Sequence, residues 1–158
     1  QKFEILKFAD TLKDMLRAIG LSDSHIEGDK KEIPLPILCD KSARHAMQTL
    51  GTDWGRGMLG DDLWVNLWTE RARVMHEFED KVVADDVRFK NEIEAIHQLG
   101  GIVMYIRRGG FGSDGHASED ARALEELCDF VFDNQGPALN LLADIDHKLF
   151  PDGQRSVA

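Results

Sequence analysis

Asp85 and Asp86 stand together directly after the short apolar run KVVA, Lys81 to Ala84. Adjacent carboxylates at the end of a buried strand can hold a magnesium ion or its waters. They can equally cap a helix or sit solvated in a loop. Arg88 follows two residues on. Its planar fork suits bidentate phosphate binding, or it neutralises the two aspartates. Arg71 falls on the same helical stripe as Trp64, Trp68, Met75 and Phe78. A guanidinium on an apolar face must find a partner or snorkel outward. Facing a cleft beside two tryptophans, it would suit a phosphate and a base. Arg107 and Arg108 precede the glycine-rich stretch GGFGSDGHAS, the composition of a mobile lid. Lid arginines stabilise charge on a transferring phosphoryl group. An ordinary loop with surface arginines has the same composition. His116 in that stretch is a lone histidine and carries no chemistry by itself.

Other chemistries lack support. No serine lies in a GxSxG elbow and no histidines have HExxH spacing. Neither GxxxxGK[ST] nor GxGxxG occurs. The two cysteines, Cys39 and Cys128, have no metal-type spacing, which argues against a zinc site or a disulfide framework. Net charge is -10, from 29 acidic against 19 basic residues, the wrong sign for coating nucleic acid. A small phosphorylated ligand needs only a few converging arginines. No apolar run is long enough for a membrane span, and no signal pattern opens the chain.

The elements that must position these residues follow from periodicity. Lys2 to Phe8 alternates as a strand, and Ala9 to Ile19 puts Leu12, Met15, Leu16 and Ile19 on one helical face, with Gly20 as its stop. Ser22 to Pro36 reads as a long connection. Asp40 or Ser42 caps a helix to about Leu50, and Gly51 to Gly60 reads as a glycine-rich turn region. Asp61 to Glu79 is the longest helix, with Trp64, Leu67, Trp68, Val74, Met75 and Phe78 inward. Lys81 to Ala84 is a short buried strand, and Ile102 to Ile106 and Asp129 to Phe132 are further strands. Asn91 to Leu99 is a helix, with Asn91 and Glu94 as a capping box and Ile93, Ile96 and Leu99 inward. Ser118 caps a further helix with Glu119 and Asp120 in its first turn. Pro137 opens the last one, which runs to Phe150 and buries Ala138, Leu141, Leu142, Ile145 and Leu149. Strands alternating with amphipathic helices predict an α/β fold, a parallel sheet with helices on both faces. Its 158 residues suit one domain. Ligands in such folds bind beyond the carboxyl ends of the strands.

Several blocks, in order along nearly the whole chain, resemble the deoxynucleoside monophosphate kinases of bacteriophages, members of the P-loop kinase superfamily. They are FADTLK (Phe8 to Lys13), RHAMQTLGTDWGR (Arg44 to Arg56), DLWV (Asp62 to Val65) and VVADDVRFKNE (Val82 to Glu92). The glycine pair with its strand to Arg107, HASE (His116 to Glu119) and a last block with Asp133, Asn134 and Gly136 complete the set. LGTDWGR and DDVRFKNE are the specific ones.

The resemblance implies transfer of the γ-phosphoryl group of ATP, with Mg2+, to a deoxynucleoside monophosphate (dNMP), giving the diphosphate (dNDP). It implies that Phe8, Asp10 and Lys13 border the monophosphate site. Arg44, Gln48, Thr52 and Arg56 would form the wall that recognises substrate, with Trp64 and Arg71 facing the same cleft. Asp85, Asp86 and Arg88 would edge the reaction centre, Asp85 touching magnesium through a water. Arg107 and Arg108 would belong to a lid of about 107–118. The implied partners are dNMP and ATP, without nucleic acid polymer or membrane, and with room for a homodimer. The implied location is the cytoplasm, that of the host if the gene is a phage's.

One departure is large. The family opens with a strand, a P-loop and a helix, and this sequence starts just after them. The P-loop's amides and lysine hold the ATP phosphates. The expectation is therefore a natural protein with about 25 to 30 further residues before Gln1, and little turnover without them. The absent strand would lie centrally, between those ending at Ala84 and Ile106. The competing expectations are a P-loop-less, non-catalytic relative that binds a nucleotide or a protein, and a structural α/β interaction module.

Overall fold

In the computed structural model the described residues are 3–78, 81–108 and 123–150. The chain divides into two compact units, Lys2–Val87 and Arg88–Ala158.

The first unit opens with β1, Phe3–Ile5, which pairs in parallel with β4, Lys81–Val83. The amide of Leu6 extends the ladder to the carbonyl of Val83 at 3.0 Å. Helix α1, Asp10–Ala18, turns Leu12 and Leu16 inward. It stops where expected: Gly20 takes φ +98°, a left-handed conformation cheap only for glycine, and donates to the carbonyl of Arg17. The connection from Ser22 to Pro36 has more structure than its polarity predicts. It holds a one-turn helix α2, Asp23–Ile26, and strand β2, Pro34–Leu35. A 3-10 turn, Pro36–Leu38, leads to β3, Lys41–Ser42, antiparallel to β2. Ile26 supplies the reason. It is fully buried against Leu16, Leu21 and Ala43, and with Leu35 packed against the same cluster it pins the segment.

Ser42, rather than Asp40, caps α3, Ala43–Gln48, its hydroxyl accepting from the amide of His45 at 3.2 Å. The glycine-rich stretch expected to be a turn region is instead a π-helix, Thr49–Leu59. Its wider bore brings the backbone of Gly55 against the indole of Trp64, an approach a Cβ would block. Helix α4, Leu63–Glu77, buries Trp64, Val65, Trp68 and Ala72. Leu67, Val74 and Phe78 of the expected inner face are exposed instead. Trp68 anchors the unit: its indole N–H donates to the carbonyl of Leu6 at 2.9 Å, and its ring stacks on Phe8 with centroids 4.4 Å apart.

The second unit carries α5, Lys90–Gln98, and β5, Met104–Arg107, parallel to β6, Phe130–Asp133. The start of α5 is held by Glu92, not by an Asn91 and Glu94 pair. The buried Glu92 carboxylate accepts from the amides of Arg88 at 2.7 Å and Phe89 at 3.1 Å. Ile93 is buried as expected, while Leu99 is exposed. Helix α6, Ala138–Leu149, follows Pro137. Of its expected inner residues, Leu141, Ile145 and Leu149 are half-buried, and Ala138 and Leu142 exposed. The expected cap at Ser118, with Glu119 and Asp120, lies outside the described residues, as do residues 109–118 of the lid region.

The fold is thus α/β, with short parallel strand pairs and helices. Among the described residues the strands form three two-stranded sheets, β1-β4, β2-β3 and β5-β6. None of the described helices is long and apolar enough to cross a membrane.

Candidate functional site

The β1-α1 turn is built by Asp86. Both its carboxylate oxygens accept backbone amides, Oδ1 from Phe8 and Oδ2 from Ala9, each at 3.0 Å. A carboxylate so occupied fixes the turn's shape. Asp85 beside it is exposed and pairs with Lys7 at 3.2 Å. The hydrogen bond and charge of Asp85 raise the Lys7 ammonium above its ordinary value against the opposing effect of burial. Asp10 closes the turn by accepting from the amide of Lys7 at 2.8 Å.

From that turn α1 projects Lys13, a buried cation. Its ammonium meets Glu27 at 2.6 Å, just past α2, and Lys31 reaches the same carboxylate at 4.0 Å. Burial pushes Glu27 up, but the hydrogen bond and charge of Lys13, with Lys31 and Lys7, hold it below its ordinary value. Arg44, on the first turn of α3, is exposed and pairs through Nε with Glu32, while its amide donates to the carbonyl of Lys31 at 3.0 Å. Arg71 is exposed rather than sunk in the apolar stripe. It lies against α1, 3.6 Å from Asp14 and 3.4 Å from the hydroxyl of Thr11. Snorkelling to a carboxylate is the outcome that side-chain chemistry favours.

Gln48 and Thr52 are exposed on α3 and the π-helix, and Arg56 donates to the carbonyl of Asp61 at 2.9 Å. Trp64 is a core residue. It is 4% exposed, its indole N–H donates to the carbonyl of Gly51 at 2.8 Å, and Trp54 tilts over it with centroids 6.3 Å apart. It supports the π-helix; Trp54 is the exposed member of the pair.

In the second unit Arg88 is exposed just before α5. Arg107, at the end of β5, pairs with Glu125 through two nitrogens and lies 3.8 Å from Asp133. Hydrogen bonding to Glu125 raises its guanidinium further above its ordinary value, burial opposing. Arg108 follows and is exposed. Among the described residues no group of three His, Cys, Asp or Glu side chains gathers to hold a metal. Magnesium held mainly by substrate phosphates needs only one or two carboxylates, and Asp85 is the exposed member of the adjacent pair.

Sequence reasoning missed the acids. Glu27, Glu32 and Asp14 hold Lys13, Arg44 and Arg71, three cations assigned to substrate, and none of these acids lies within three or four residues of its cation. No local spacing announces such long-range pairs.

The acid side of stability follows from the start of the β5-β6 pair. Asp129 accepts from the amide of Val103 at 2.7 Å and from His97 at 3.0 Å. The Val103 amide first, then the histidine, hold its carboxyl below the usual range against burial. A depressed carboxylate contributes stability that is present above its unfolded value, near pH 4, and lost as pH falls through the folded value. Glu27 acts in the same sense. The melting temperature should therefore fall as pH drops below about 4. Asp129→Asn, which keeps an acceptor for Val103 without the charge, should flatten that fall. An unchanged acid slope in the variant would contradict the assignment.

Lys7, after β1, and Arg107, at the end of β5, stand at the carboxyl ends of parallel strands, where ligands bind in α/β folds. The chain belongs to the deoxynucleotide monophosphate kinase family: the family's sequence profile matches residues 12–145. It is similar to an Acanthamoeba polyphaga mimivirus protein named "Putative deoxynucleotide monophosphate kinase", with 36% identity over 125 residues. That stretch covers 71% of this chain and 65% of the relative, so the match spans somewhat under two thirds of the curated protein. No solved structure matches the chain significantly.

Proposed function

We propose that this chain transfers the γ-phosphoryl group of ATP to a deoxynucleoside monophosphate. The family match over 134 consecutive positions, 12 to 145, carries the reading. An oxygen of the dNMP phosphate attacks the γ-phosphorus, the bond from that phosphorus to the β–γ bridging oxygen breaks, and ADP leaves with the electron pair. The protein's part is positioning and charge stabilisation.

In this reading Phe8, Asp10 and Lys13 border the monophosphate site. Arg44, Gln48, Thr52 and Arg56 recognise the substrate, with Arg71 beside them and Trp64 supporting the wall from the core. Asp85, Asp86 and Arg88 edge the reaction centre. Asp85 would hold a magnesium ion through a water, and the ion would offset phosphate charge. Asp86 shapes the turn at Phe8. Arg107 and Arg108 serve the lid. We read both units as one nucleotide-kinase domain of P-loop NTPase type, acting in the cytoplasm on dNMP and ATP. The second reading is a non-catalytic relative that binds nucleotide or protein.

Calorimetric titration with each dNMP and its parent deoxynucleoside tests the reading. Binding that depends on the phosphate supports it, and equal affinity for the two removes it. Arg88 gives a sharper check in the protein of the complete reading frame. Arg88→Lys should lose roughly tenfold or more in kcat/KM at unchanged melting temperature, because a point charge does not replace a bidentate fork. A fully active Lys variant would take Arg88 out of the reaction centre.

A further inference from the structure

We propose that Glu27 and Glu32 are built-in counter-anions of the phosphate site, holding Lys13, Lys31 and Arg44 in the free protein and yielding them to the phosphate of the incoming dNMP. This rests on the reading of Lys13 and Arg44 as substrate residues.

The two partners of the inner pair differ in depth. The Lys13 side chain is 10% exposed and that of Glu27 is 40% exposed. A buried ammonium must have an anion beside it. Here the anion is the more exposed member of the pair, so the Glu27 carboxylate is more accessible from water than the Lys13 ammonium. Lys31 leans on the same carboxylate, so two cations converge on one negative charge.

The outer pair repeats the arrangement on the neighbouring helix. Arg44 and Glu32 are both more than half exposed. The amide of Arg44 is tied to the carbonyl of Lys31, which makes one continuous track of Lys13, Glu27, Lys31, Arg44 and Glu32. Both acids lie in the short segment between α2 and β2. That segment is fixed by Ile26 in the core, so the carboxylates are presented without a long arm having to be ordered.

The exchange has a physical driving force. A monophosphate ester carries about -1.5 to -2 charge at neutral pH and offers three acceptor oxygens, against one charge and two oxygens for a carboxylate. Its hydrogen bonds to Lys and Arg are charge-assisted and can be bidentate at Arg44. A ligand without phosphate has nothing with which to displace either acid. The counter-anions therefore lower the affinity for phosphorylated nucleosides more than for unphosphorylated ones, because only the phosphate displaces them.

Titration of the chain with the four dNMPs and the four deoxynucleosides, in wild type, Glu27→Gln and Glu32→Gln, tests the exchange. Removing a competing ion pair should tighten dNMP binding roughly fivefold in Glu27→Gln and about twofold in Glu32→Gln. Deoxynucleoside affinity should not tighten by as much, and the gain should shrink as salt is raised. Wild type that binds dNMPs with Glu27→Gln equal or weaker would show a plain structural tie and overturn the inference, leaving the phosphate site intact. Wild type that binds dNMPs no better than deoxynucleosides would overturn the phosphate site and the inference with it. Should Glu27→Gln fail to fold, the exposed Glu32→Gln decides: no tightening there overturns the proposal.

Discussion

Gly55→Ala should lower stability by about 1–3 kcal/mol, roughly 3 to 10 °C in melting temperature for a chain of this size. A Cβ at Gly55 would lie 2.5 Å from Cζ2 of Trp64 and 2.6 Å from its Cε2 and Nε1. The indole has no room to retreat. It is buried, its N–H is bonded to the carbonyl of Gly51, and Trp54 lies against it. The backbone of the π-helix must shift instead, and that segment carries Thr52 and Arg56. Weakened dNMP binding should accompany the lost stability. Gly57→Ala is the control. It is exposed on the same π-helix, and the nearest atom to its Cβ is the carbonyl oxygen of Thr52 at 3.4 Å. It should be within about 0.5 kcal/mol of wild type. Equal stability of the two variants would show that the Gly55-Trp64 approach does not hold the π-helix.

Asp86→Ala has the second large effect. It removes both acceptors for the amides of Phe8 and Ala9 at a turn whose Phe8 ring stacks in the core. Leaving such amides without a partner costs about 1–3 kcal/mol each where water does not replace the carboxylate. A total of roughly 2–4 kcal/mol is expected. Asp86→Asn should recover only part of it, because one oxygen becomes an NH2 that meets an amide donor. Both variants should weaken dNMP binding by disturbing the turn that carries Asp10 toward Lys13. Thermal unfolding and titration separate this from a purely chemical role. An Asp86→Ala protein with wild-type melting temperature and no activity would show that Asp86 acts on the reaction and not on the turn.

Much of the fold was legible because strands and long helices announce themselves by period. The runs around Ile5, Val82, Tyr105 and Val131 became the parallel pairs. Gly20 and Ser42 ended and began helices for the reasons their chemistry gives. Legibility failed where one distant contact outweighed local preference. Gly51 to Gly60 has turn composition, yet the flat face of Trp64 rewards a wide helix with no side chain at position 55. Ser22 to Pro36 is polar, yet Ile26, with Leu35 packed against the same cluster, draws it into the core. On α4 the periodic stripe is wide enough to fit two faces. The indole bonds of Trp64 and Trp68 select the one with Val65 and Ala72, which leaves Leu67 and Phe78 outside. Lys13 and Arg44 stand in the FADTLK and RHAMQTLGTDWGR blocks. Their partners Glu27 and Glu32 could not be read from the sequence, because each pairing depends on how α2 and α3 pack on α1 rather than on spacing.

Formation of a deoxynucleoside diphosphate from ATP and a dNMP tests the account most directly. Phosphorus NMR of the protein encoded by the complete reading frame, supplied with magnesium, ATP and each dNMP in turn, follows both products. The account predicts ADP and dNDP in equal amounts, at a rate that vanishes when the dNMP is replaced by its deoxynucleoside. Tight, phosphate-dependent binding with no dNDP formed from any of the four would contradict the kinase reading and leave a nucleotide-binding relative in its place.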